Sequence, residues 1–468
     1  MQGEKSAQGE CFFIGSLDSL VPADDPFRRL EALLDLSWLR RETRALYSAT
    51  GRPSIDPVVI AQLLLVAYLQ GITSERELLR QVQVNLSYRR FLHYELSEML
   101  PDHSCLTRSR QRLGEATVRK IFEYVLRLCL DAGLVGAELE SVDSTFVQAN
   151  ASLASLRPRL VVAEAQRYTR QLFGADEDRE GNDEQDGPPS GGGRRRRNDA
   201  VLSRTDPDAG LDRRRGIKSR LGFLVHFAVD RSRQIITGVL TTGAQQRDAG
   251  QLLPLVDLVR GHGILAQAVA ADRGYSAGDV YAGLAERGIT AFIPVPENGA
   301  EHRGVFGREH FTYDAAGDRY RCPNGTWLAR EQAGTHERRY RARVEDCAPC
   351  PLRALCTNGR VRSLKVSLHE EHLAAARIRQ HTRAGKRAGR DRRILSERMF
   401  AEAKDRHGLR RAHGRGLTNM RVQALLTATA LNLKRYLQAQ TRVFPAAAAL
   451  RASLSGSHFQ IRPSAAPC

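Results

Sequence analysis

Apolar positions recur at helical spacing over residues 26–133, and this stretch is predicted to be helical throughout. Asp56-Pro57 sets an N-cap before a proline at the first helical position, and Gly71 closes that helix. Ser74-Glu-Arg-Glu77 is a capping box opening the next. Asp102-His-Ser104 precedes a short predicted helix, residues 105–113, that carries Arg108, Arg110 and Arg112. The period then changes. Residues 138–142 read as a strand ending near Asp143, and residues 222–229 and 234–240 as a hairpin turning at 230–233. A helix over 250–260, a buried strand over 265–271 ending at Asp272, a helix over 277–287 and a strand over 290–295 follow. The expected fold class is α/β: a mixed-sheet core behind an all-helical N-terminal domain.

Two interruptions divide the pattern. Residues 174–215 combine an acidic run, Gly187-Pro-Pro-Ser-Gly-Gly-Gly193 and Arg194 to Arg197, and are expected to form a flexible loop ending in Thr205-Asp-Pro-Asp-Ala209. Residues 299–389 form a cysteine-containing insertion. The expected divisions are an irregular lead-in (1–26), a helical domain (27–134), the first part of the core (135–298), the insertion (299–389), the core's C-terminal helices (390–440) and an Ala-rich tail (441–468). No internal repeat is present.

Charge narrows the partners. The chain of 468 residues holds 71 Lys/Arg against 53 Asp/Glu, a net +18. Residues 381–421 alone hold thirteen basic and four acidic side chains, half of that excess. Such clustering points to an anionic polymer. The longest apolar run, 58–69, is broken by Gln62 and too short for a bilayer, so no membrane partner is expected. The N-terminus lacks the apolar core of a secretory signal, and eight cysteines make no disulfide scaffold, so a reducing cytoplasm is expected.

Within the basic stretch, Arg393, Glu397 and Lys404 fall within about 60° of one another on a helix. A carboxylate so placed is either one member of a surface pair or a metal ligand. Asp143 and Asp272, at predicted strand ends, supply two more. Three hard-oxygen ligands beside a phosphate-binding surface suit Mg²⁺ or Mn²⁺ and phosphodiester chemistry. In the insertion, Cys322-x24-Cys347-x2-Cys350-x5-Cys356 could hold a structural Zn²⁺; buried free thiols or an oxidisable pair fit the same spacing.

At these residues the chain resembles the DDE transposases of bacterial insertion sequences. Val142-Asp143-Ser-Thr resembles the first motif, and Ala271-Asp272-Arg-Gly-Tyr275 with Gly288-Ile-Thr-Ala-Phe-Ile-Pro294 the second. Arg393-x3-Glu397-x6-Lys404 is similar to the signature carrying the third acid. The resemblance runs from about residue 27 to 440. Thr205-Asp-Pro-Asp-Ala209 and the cysteine insertion narrow it to the subgroup numbered eleven-eighty-two. It implies a ribonuclease-H-like core and a helical domain that binds double-stranded DNA at the element's inverted repeats. It also implies cleavage and joining to target DNA, with a dimer in the synaptic complex and a nucleoid-associated protein. Asp143, Asp272 and Glu397 are the implied Mg²⁺ ligands. Arg393, Lys404, Arg390, Arg108, Arg110 and Arg112 are the expected DNA contacts. Arg390 stands where the signature has tyrosine. Either its charge replaces the tyrosine's hold on phosphate, or the chain is an inactivated copy acting as a repressor. A metal-dependent nuclease of the same core is the other alternative.

Overall fold

A computed structural model describes residues 15–48, 50, 54–159, 201–213, 218–296, 304–331 and 337–454. It divides into two contact units: Met1–Leu134 with Glu402–His413 and Arg421–Cys468, and Val135–Ala401 with Gly414–Met420.

The first unit is helical: α1 (Pro26–Leu33), α2 (Pro57–Gln70), α3 (Glu75–Val84), α4 (Leu86–Phe91) and α5 (His103–Asp131). Asp56 accepts the Val58 N–H at 2.9 Å and so caps α2. Gly71 ends it at φ 68°, where a Cβ would stand 2.4 Å from the Arg406 carbonyl oxygen, so only glycine fits. Helix α2 is apolar on every side, and Ile60, Leu63, Leu65 and Val66 are fully buried. Half of the predicted capping box forms: Ser74 accepts the Glu77 N–H, while the Glu77 carboxylate turns to Arg80 at 2.7 Å. Gly114, at φ 66° and ψ 178°, breaks α5, so the arginine-bearing segment is the first piece of a longer element. Of the expected lead-in, residues 1–14 with Cys11 lie outside the described residues; Leu17–Leu20 is one helical turn.

The second unit is built on a six-stranded sheet. Its strands are β1 (Leu139–Gln148), β2 (Gly210–Asp212), β3 (Arg220–Asp230), β4 (Ile236–Gly243), β5 (Ala268–Ala271) and β6 (Thr290–Phe292). The order is β4-β3-β1-β5-β6, with β2 beside the start of β3. Strands β4, β3 and β1 are antiparallel neighbours, and β5 and β6 run parallel to β1. Helices α6 (Ala249–Gly261) and α7 (Gly278–Glu286) connect the later strands. A second sheet, an antiparallel meander of five strands, occupies the insertion: β7 (Thr312–Asp314), β8 (Arg319–Arg321), β9 (Trp327–Arg330), β10 (Glu337–Arg341) and β11 (Ser363–Ser367). Helices α8 (Glu370–His381), α9 (Arg383–Arg406) and α10 (Leu417–Leu454) complete the chain.

Three expectations change. The loop over 174–215 is not loop throughout. Residues 174–200 and 214–215 lie outside the described residues, but Val201–Ser203 is a strand and Asp206 is fully buried. Asp206 accepts the Gly416 N–H at 3.1 Å and Asp208 accepts the Leu417 N–H at 2.8 Å. Thr205-Asp-Pro-Asp-Ala209 is thus a clip on the free N–H groups that open α10. Second, residues 390–440 do not form one body. The unit boundary falls inside both α9 and α10, and Glu402–His413 and Arg421 onward cluster with the helices. Glu402, bound by His407, Lys434 and Arg435, is held well below the usual carboxylate range inside that cluster. Third, the tail is helical as far as Leu454; residues 455–468, with Cys468, lie outside the described residues. Among the described residues, no single helix is long and apolar enough to cross a membrane.

Candidate active site

Strand β1 pairs in parallel with β5 over four residues, and the last pair is Val142 with Ala271. The next residue on each strand is an aspartate. Asp143 and Asp272 therefore leave the ladder side by side, on backbones about 5 Å apart. Asp143 is not at the end of its strand as expected. Strand β1 continues to Gln148 because its other edge keeps pairing with β3.

Helix α9 meets one face of this sheet through every fourth residue. Ala388 joins the buried cluster of Leu139, Ala268 and Ala270. Arg392 donates from Nη1 to Asp143 Oδ2 at 2.7 Å. Ser396 Oγ lies 3.4 Å from Ser141 Oγ, and Phe400 stacks on Phe227 with centroids 5.2 Å apart. Residues four apart share one helix face, so this stripe fixes the helix's rotation. Glu397 follows Ser396 about 100° round the helix and is exposed, as are Arg390 and Arg393. Lys404, further along, is half-buried and falls in the helical unit.

A third aspartate approaches from the opposite face. Ser144 Oγ donates to Asp248 Oδ1 at 3.0 Å. A Cβ on Gly274 would stand 3.0 Å from Asp272 Oδ1 and 3.1 Å from Asp248 Oδ2, so a side chain there would crowd both carboxylates. Asp272 Oδ1 also accepts the Gly274 N–H at 2.8 Å, which orients it. Behind them Tyr275 is fully buried, its hydroxyl 2.8 Å from His226 Nδ1. Burial, then the charges of Asp248, Asp143 and Asp272, pushes the Tyr275 hydroxyl far above its ordinary range. Burial pushes His226 down to about 4, so it is neutral at physiological pH. Burial likewise raises the Asp143 carboxyl, against the pull of Arg392.

These carboxylates are hard oxygen donors suited to Mg²⁺ or Mn²⁺. Among the described residues, no group of three or more His, Cys, Asp or Glu stands ready in metal-binding geometry. The donors are present, and the cage is not assembled. The sequence singled out Asp143 and Asp272 but not Arg392, which contacts Asp143, or Asp248, which accepts the Ser144 hydroxyl. The spacing of Ala388, Arg392, Ser396 and Phe400 was the available signal for Arg392. Arg108, Arg110 and Arg112 belong to the helical unit. Arg108 and Arg112 are exposed, the latter with its guanidinium 4.9 Å from the centre of the Tyr47 ring. Arg110 is mostly covered and lies 3.4 Å from Glu75.

Residues 15–112 match the family model described as Transposase domain (DUF772), and residues 321–437 match the Transposase DDE domain. Both matches are to transposase domains and support an insertion-sequence DDE transposase. The second match contains Glu397 and Lys404, whereas Asp143 and Asp272 lie outside both. Comparison with curated proteins finds no match.

Proposed function

We propose that this transposase binds the inverted-repeat ends of its own element, cuts the DNA there and joins the freed 3′-hydroxyl to target DNA. The observation that carries this reading is the pair Asp143 and Asp272, side by side where β1 and β5 part, with the Glu397-bearing helix laid on the same strand. The strand order, three antiparallel strands followed by two parallel ones, supports a ribonuclease-H-like core. Asp143, Asp272 and Glu397 would hold Mg²⁺ or Mn²⁺. When bound, such ions activate the attacking oxygen and stabilise the leaving one.

The protein's own residues supply the rest. Arg392 holds Asp143 in place and balances its charge. Exposed Arg390 and Arg393 offer guanidiniums to the DNA backbone with little desolvation, and Lys404 adds a cation further along the helix. An arginine at 390 keeps the phosphate contact electrostatic. Two ends are joined in one event, which favours a dimer on DNA. Such a protein works in the cytoplasm, on the nucleoid.

The test is an incubation of the full chain with Mg²⁺, target DNA and pre-cleaved DNA ends taken from the inverted repeats flanking its gene. Joined products are expected. Cleavage of intact ends without joining would favour a nuclease of the same core. Specific end binding with neither reaction would favour a repressor.

A further inference from the structure

The insertion lobe gathers chemistry that DNA cleavage does not use. Cys322 opens a tight turn in which the Gly325 N–H returns to its carbonyl at 2.8 Å. Cys347 opens a similar turn, with the Cys350 N–H returning at 3.4 Å. Cys356 ends the short helix Arg353–Cys356. These elements are up to 34 residues apart in sequence, yet all four thiols line one cavity of about 20 Å³. A space of that size holds roughly one water-sized occupant.

We propose that Cys322, Cys347, Cys350 and Cys356 bind one Zn²⁺ as a structural tetrathiolate site. Zinc prefers four soft ligands in a tetrahedron, with Zn–S near 2.3 Å. Four thiolates around one zinc leave two negative charges. Arg353 and Arg362 line the same cavity, beside Asp346, and lower the cost of gathering thiolates. The sulfurs do not stand in finished coordination geometry, so binding draws them inward and releases their protons. The lobe has reason to use a metal. Among the described residues its apolar cluster is seven buried residues, Phe311, Leu328 and Tyr340 among them, and three of the cysteines pack against it. A core that small is marginal without a staple.

Elemental analysis of the full chain, expressed without a metal-binding tag, tests this. About one zinc per chain is expected. Cys350→Ser should bring zinc to background, while Cys105→Ser, outside the lobe, should leave it unchanged. Because Cys350→Ser could unfold the lobe, the unaltered chain provides the second measurement. With Co²⁺ in place of zinc it should show the intense bands of a tetrahedral thiolate site. Chelation should speed proteolysis within residues 304–381. Folded protein that carries no zinc when metal-replete, with the four lobe thiols titrating in addition to the other four cysteines, would overturn the proposal, as would a Cys347–Cys350 disulfide. Neither result bears on transposition, so the two readings stand or fall separately.

Discussion

Asp143 is neutralised by its own fold. Its bridge to Arg392 joins side chains only 22% and 17% exposed, so breaking it leaves a largely buried carboxylate uncompensated. Arg392→Ala should cost about 1–3 kcal/mol at neutral pH, measured by urea unfolding, and Arg392→Lys should cost less. Equal midpoints for all three proteins would show that the bridge carries no weight. Glu140 presents the opposite case. It is 2% exposed, accepts the Thr237 hydroxyl at 2.8 Å and is pushed up to about 8 by burial. The fold keeps its proton to about pH 8, while the unfolded chain releases it near 4.5. Its contribution to stability is therefore complete below pH 4.5, declines between 4.5 and 8, and is gone above 8. Glu140→Gln keeps an acceptor for Thr237 and cannot ionise. It should match the parent near pH 4.5 and be more stable by roughly 2–4 kcal/mol at pH 8.5. A constant difference at both pH values would contradict this. Asp143, Asp272 and Glu397 could be proposed from the sequence because each sits in a local motif. Arg392 was not, because contact with the sheet decides which stripe of a basic helix turns inward.

At the scale of elements, the alternation of periods foretold the order of strands and helices. It did not foretell where β1 ends, since that depends on a partner strand 80 residues away: β3 pairs with residues that β5 no longer reaches. Composition misled at Thr205-Asp-Pro-Asp-Ala209. Beside Gly- and Arg-rich sequence it reads as linker, yet its two aspartates accept the N–H groups of Gly416 and Leu417. Asp208→Ala removes one of these acceptors and should cost about 1 kcal/mol, the usual worth of a helix cap. Asp206→Ala should cost more, because Asp206 is fully buried. Denaturation midpoints equal to the parent's in both variants would mean the clip is incidental.

For the whole molecule, the helical unit draws on three separate stretches of chain. Residues 27–134 alone lack the buried Leu425, Leu426 and Leu431 of α10, so end recognition belongs in assays of the full chain. A net charge of +18 predicts that DNA affinity falls steeply with salt. Arg108→Ala should flatten the slope of log affinity against log salt by about one unit, as for one lost phosphate contact. Arg110→Ala, already committed to Glu75, should leave the slope unchanged and lower stability instead. The reverse pattern would exchange their roles. The most direct test of the central claim compares Asp143→Ala, Asp272→Ala and Glu397→Ala with the parent for end binding and for cleavage in Mg²⁺. Metal ligands act on the chemical step and phosphate contacts on affinity, so each variant should bind ends nearly as the parent does and cleave nothing. Near-parental cleavage by Asp272→Ala would contradict the account.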